Sequence, residues 1–175
     1  MQNIMQRMLG AAKLDVATYE EVEKDSDATL QALGVVVLVA VATGLGSLGY
    51  VGFSGMLLGI IAAVLGWAVW AGLIWLIGTK LLAEPSTEAD WGQVARTTGF
   101  AQTPGLLRIF GFIPVIGPFI VLASGIWQIV AVVIAVRSAL DYTATWRAVV
   151  VVLIGWVVSM MIYMLLGVGS TATVG

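Results

Sequence analysis

The chain has 175 residues, 60% hydrophobic and only 10% charged, with a formal net charge of −2 and a mean hydropathy of +1.03. Soluble domains carry roughly one-quarter charged residues, so this composition describes an integral membrane domain, and the scattered basic residues argue against a nucleic-acid partner. The chain has no Cys and no His, which removes disulfides, thiolate nucleophiles, histidine bases and the usual zinc and haem ligands.

The first predicted element is a short helix. Met1, Ile4, Met5, Met8, Leu9 and Ala12 fall on one face, while Gln2, Asn3, Gln6, Arg7 and Lys13 take the other. It is too short to span a bilayer. Two readings use the same stripe: an amphipathic helix lying in the headgroup plane, or a helix packed on the protein's own spans. Asp15 to Asp27 then holds six of the ten acidic residues. Thr18 followed by Glu21 has capping-box spacing and predicts a helix from Tyr19, with Asp25, Ser26 or Asp27 capping the next. This stretch is a solvated connector or a face for a partner, with Asp15, Tyr19, Glu20 and Glu21 as candidates. Residues 1–29 therefore form a cytoplasmic segment, and 30–175 the transmembrane domain.

Leu30 to Gly49 is long enough for a first span and reads as an uncleaved start signal, since no cleavable signal layout precedes it. Tyr50 and Phe53 fit an interfacial aromatic belt in the turn that follows. Ser54 to Gly78 is the second span. Gly55, Gly59, Ala62 and Gly66 form a small-residue stripe that predicts a close helix contact, within the chain or between copies. After a polar loop, a capped helix from about Glu88 is expected to run into a third span, Trp91 to Phe110.

That third span is broken. Gly99 to Ile120 carries Pro104, Pro114 and Pro118, together with Gln102 and Arg108. A charge at mid-membrane costs about 2.5 kcal/mol or more, and prolines free carbonyls that need other partners. The expectation is a bend at Pro104, a tight turn over Gly111 to Gly117, and Pro118 in the first turn of a fourth span ending at Val136. Gln102 and Gln128 then lie at similar depths and can bond each other, while Arg108 snorkels to the outer headgroups. Arg137 and Asp141 are spaced to pair. Thr145 is placed to cap a fifth span, Ala148 to Gly167, and Val168 to Gly175 reads as a frayed end.

With the N-terminus in the cytoplasm, seven basic residues lie inside and only Arg108 outside, which favours five crossings with the C-terminus out. The competing topology makes Gly99 to Gly117 a re-entrant hairpin. The fold class is thus all-α: a membrane bundle of five spans behind an amphipathic interfacial helix.

The order of parts resembles the bacterial branch of the Yip family, the Ypt/Rab-interacting membrane proteins. The resemblance covers about Met8 to Gly167. Its most specific parts are LDVATYEEVEKDSDATLQAL before the first span, the broken third span within ADWGQVARTTGFAQTPGLLRIFGFIPVIG, and the RSALDYTATWRA loop. It implies a five-span fold in a bacterial inner membrane and no established activity. Eukaryotic relatives carry a DLYGP motif and engage Rab-type GTPases; Asp15 to Tyr19 reads DVATY instead, so a GTPase partner is doubtful. The residues themselves offer no catalytic, cofactor or metal set. They point to a non-catalytic scaffold, accessory subunit or membrane-organising factor, in contact with the bilayer and with other membrane proteins or copies of itself. The alternative is a small permease or channel using Gln102, Arg108 and Gln128.

Overall fold

The computed structural model describes residues 3–165, and within them every regular element is a helix. Met1, Gln2 and the expected frayed end from Val168 onward lie outside the described residues.

The N-terminal segment folds as a helical hairpin. Helix α1 (Ile4–Ala12) starts at a capping box between Asn3 and Gln6. It ends in a Schellman motif: the amide of Asp15 donates to Gly10 and that of Leu14 to Ala11, with Leu14 in the left-handed region at φ 63°. Helix α2 (Val16–Lys24) starts three residues earlier than Thr18 and Glu21 imply. Asp15 is the N-cap, accepting from the Ala17 amide and from the Thr18 hydroxyl. The hairpin closes tightly because Gly10 has no Cβ; any would overlap the Thr18 side chain.

Helix α3 (Ala28–Gly46) is the first span. Helix α4 (Leu48–Lys80) includes the second and the turn before it, with a break at Gly52, whose φ of 66° suits glycine. Tyr50 and Phe53 are exposed there. Helix α6 (Ile116–Ala139) has Pro118 in its first turn, where a missing N–H costs nothing. It closes in a second Schellman motif, with Tyr142 donating to Arg137 and Asp141 to Ser138, and Asp141 at φ 51°. Helix α7 (Thr145–Leu165) is the last element among the described residues. The hydroxyl of Thr145, expected to cap this helix, instead accepts from Arg137.

Four helices, α3, α4, α6 and α7, are long and apolar enough to cross a membrane. The expected third span is not a continuous helix. It is α5 (Trp91–Phe100), a turn at Ala101 and Gln102, and a 3-10 helix over Thr103–Phe112 with Pro104 in its first turn. The break falls where Pro104 cannot donate, and the carbonyl of Phe100 is taken by the Thr103 hydroxyl at 2.7 Å. This broken element runs beside α3 in the same direction. A Cβ on Gly99 would meet Ala32, one on Gly105 would meet Val39, and one on Gly46 would overlap the carbonyl of Arg108. Helix α6 then returns against the 3-10 helix, with Ser124 donating to Pro104 at 2.8 Å. The core of Val35, Ile74, Phe100, Val136 and Val151 lies where α3 to α7 meet, nearer the end that carries α1 and α2.

Candidate functional site

Two sets of polar residues stand out, one at each end of the core. At the N-terminal end, Arg7 and Arg96 bind the α1–α2 hairpin to the bundle. Sequence patterning puts Arg7 on the wet face of α1, yet it is 1% exposed. Its guanidinium reaches Glu21 at 2.9 Å, Asp25 at 2.5 Å and Gln31 at 3.0 Å. The hydrogen bond from Arg7 holds the Asp25 carboxyl below its usual range. Ile4, Met8 and Ala11 turn inward with Arg7, and Met5 and Leu9 are left exposed, so the stripe divides between the protein and its surroundings.

Arg96, on α5, donates to the carbonyls of Val22 at 3.1 Å and Glu23 at 2.5 Å. These are last-turn carbonyls of α2, which have no intrahelical partner and sit at the negative end of the helix dipole. Gln93 donates to the Glu23 carboxyl at 3.0 Å. Burial pushes that carboxyl up to about 7, and the charge of Asp141 adds to the shift. Of the four residues expected to face a partner, two are used internally. Tyr19 is fully buried and donates to Ala11, and Glu21 pairs with Arg7; Glu20 is exposed, and Asp15 is the α2 cap. Arg137 does not pair with Asp141. It donates to the carbonyls of Tyr142 and Thr143 and to Thr145, while Arg147 takes Glu84 at 3.0 Å.

The second set lies inside the bundle. Gln128, midway along α6, donates to the Oε1 of Gln102 and accepts from Arg108 Nη2 at 2.6 Å. The Arg108 guanidinium therefore turns inward, away from the outer headgroups it was expected to reach. It sits at the level of Val39, about 10 Å from the Gly46 end of α3. The polarity of this relay follows from chemistry. A guanidinium only donates, so Gln128 presents its oxygen to Arg108 and its NH2 to Gln102, which must present oxygen in turn. No carboxylate among the described residues pairs with Arg108.

The relay borders a cleft of about 1080 Å³ between α3, α4, α6 and α7. Gly55, Gly59 and Gly66 line its α4 wall. They make no close helix contact of the expected kind within the described chain at two positions: space around Gly59 is open, and a Cβ on Gly55 would meet only Val51 of the same helix. Pro114 lies in the turn before α6, between the 3-10 helix and Val115, outside the relay. Among the described residues no group of His, Cys, Asp and Glu could hold a metal. What sequence reasoning missed here is the direction of Arg108 and the two buried arginines of the cap. No periodicity marks them; the only signal was an excess of acids between Asp15 and Asp27.

Among the described residues every regular element is helical, four helices are long and apolar enough to cross a membrane, and polar groups turn inward; together these define a polytopic membrane protein. The model of the Yip1 domain matches residues 16–167, and the chain belongs to that family. No curated protein and no solved structure matches it.

Proposed function

We infer that this chain is a non-catalytic organiser of a bacterial cytoplasmic membrane, a scaffold or accessory subunit whose cap works at the inner surface. The observation that carries this reading is the cap itself. Arg7 and Arg96 fix α1 and α2 to the bundle, while Met5, Leu9 and Val16 stay exposed on it. Ile4 and Arg7 lie at the level of Gly34 and Gln31, about one to two turns inside the start of α3, and the Ala12 carbonyl at the other end of α1 accepts from Trp127, midway along α6. Such a course suits a helix lying along the bundle just inside the headgroups, with its free apolar residues in acyl chains. On this reading α5 and the 3-10 helix form a fifth crossing, because they follow α3 from Ala32 to Gly46. The N-terminus is then inside and the C-terminus outside, with bilayer lipids and other membrane proteins or further copies as partners.

Cysteine labelling tests this directly, since the chain has no native Cys. Cysteines at Ser86 and Thr143 react only from the cytoplasm, and one at Ser54 only from outside. Labelling of position 143 from outside makes Gly99 to Gly117 a re-entrant hairpin instead. A small permease is the second reading, favoured by the cleft that reaches Gln102, Arg108 and Gln128. The long apolar walls of that cleft suit acyl chains better than a hydrated path.

A further inference from the structure

We propose that the cleft between α3, α4, α6 and α7 binds one acidic membrane lipid, its headgroup on Arg108 and an acyl chain along α4. Three observations converge. The first is charge: among the described residues Arg108 has one polar partner, Gln128, and no carboxylate. A guanidinium with spare N–H groups in a low-dielectric site calls for an anion, and phosphate matches its fork. The second is the donor inventory. Because the relay runs from Arg108 through Gln128 to Gln102, the group left over at its end is the NH2 of Gln102, another donor. Trp67 and Trp70 border the same cleft, but their indole N–H groups are enclosed by protein atoms, so they add apolar wall and leave the donors to Arg108 and Gln102. The third is shape. The volume of about 1080 Å³ is just above the range of small-molecule sites, roughly 300–1,000 Å³, and leaves room for a long acyl chain. Gly55, Gly59 and Gly66 keep one wall free of side chains, so a linear chain can lie on the helix backbone.

The cleft runs from Leu73 and Val152 to Ser47 and Val51 at the α3–α4 turn. Lipid therefore enters from the leaflet on the side of that turn, and its headgroup descends about 10 Å to the guanidinium. The inference needs only that the chain resides in a membrane; it stands whichever way the chain faces and whether or not it is a scaffold.

Native mass spectrometry of the full chain in detergent decides it, with phosphatidylglycerol and phosphatidylcholine of identical acyl chains as the two ligands. The expected result is one retained lipid per chain, with phosphatidylglycerol held roughly tenfold more tightly, because both headgroups carry the phosphate but only phosphatidylcholine also brings a cation that the guanidinium repels. Arg108→Gln brings the two lipids to equal retention. Gly59→Leu, at a position with open space around it, fills the groove and weakens both. Equal retention by the unaltered chain, or a preference that survives Arg108→Gln, overturns the proposal. So does a dimer that Gly59→Leu dissociates, since a second copy would then be the occupant. Should Arg108→Gln fail to fold, Gly59→Leu alone decides: unchanged lipid retention there overturns it.

Discussion

The cap and the cleft treat the same residue type in opposite ways. Arg7 and Arg96 each have several acceptors, and each is almost wholly enclosed. Arg108 has a single neutral acceptor among the described residues and borders the cleft. A buried guanidinium that is fully paired fixes structure, because removing it strands its partners. One held by a single amide keeps binding capacity in reserve. The cap is thus held rigid, and the cleft keeps room and charge for an occupant.

Removing Arg7 is the sharpest way to break the cap. Arg7→Ala leaves Asp25 and Glu21 as unpaired neighbours beside a void, and the α1–α2 hairpin loosens from the bundle. Trypsin should then cut after Lys13 and Lys24 at least about tenfold faster than in the unaltered chain, through local opening. Unchanged cleavage would show that α1 is held by its apolar contacts alone.

The contrast extends to glycine. A Cβ at Gly46 runs into the Arg108 carbonyl, and at Gly59 it meets nothing. Gly46→Ala should cost about 2 kcal/mol as the 3-10 helix is forced off α3. Gly59→Ala should be neutral or slightly stabilising, by helix propensity. Denaturation in mixed micelles reads both, and equal effects would erase the distinction between packed and open walls.

The pH response of the cap is smaller. Glu23 is raised from 4.5 to about 7 in the folded chain, by burial first and Asp141 second. Between those values the unfolded chain has released a proton that the folded chain keeps, so stability falls as pH rises. The contribution is full below pH 4.5 and is lost as pH passes 7. Protease protection of α2 should therefore decrease from pH 5 to pH 8, and Glu23→Gln should flatten that profile. A profile equally steep in Glu23→Gln assigns the titration to another group.

The smallest effect is expected within the relay. Gln102→Leu removes one amide hydrogen bond, worth about 0.6 kcal/mol on average in membranes. Thermal stability should drop slightly, while Gln128 remains bonded to Arg108. A large loss would mean that the relay, rather than apolar packing, sets the angle between the 3-10 helix and α6.

How much could be read in advance differs between these regions for a physical reason. Length and hydropathy determine which stretches are long apolar helices, because backbone groups in hydrocarbon must be satisfied within the segment. Local chemistry determines the break at Pro104 and the placement of Pro118, since a missing N–H acts within one turn. The Gln102–Gln128 bond was legible too, because a tight turn brings equal depths together. The sequence by itself did not show that the third element leaves α-helical geometry for a 3-10 helix; packing against α3, with Gly46 on the Arg108 carbonyl, goes with that geometry. Nor did it show that Arg7 and Tyr19 turn inward, since a nine-residue helix has one apolar stripe whether protein or lipid covers it. Long side chains are the least legible of all. Arg108 can extend toward either end of its helix, and only the tertiary structure decided, by placing the Gln128 oxygen within 2.6 Å, that it turns into the bundle.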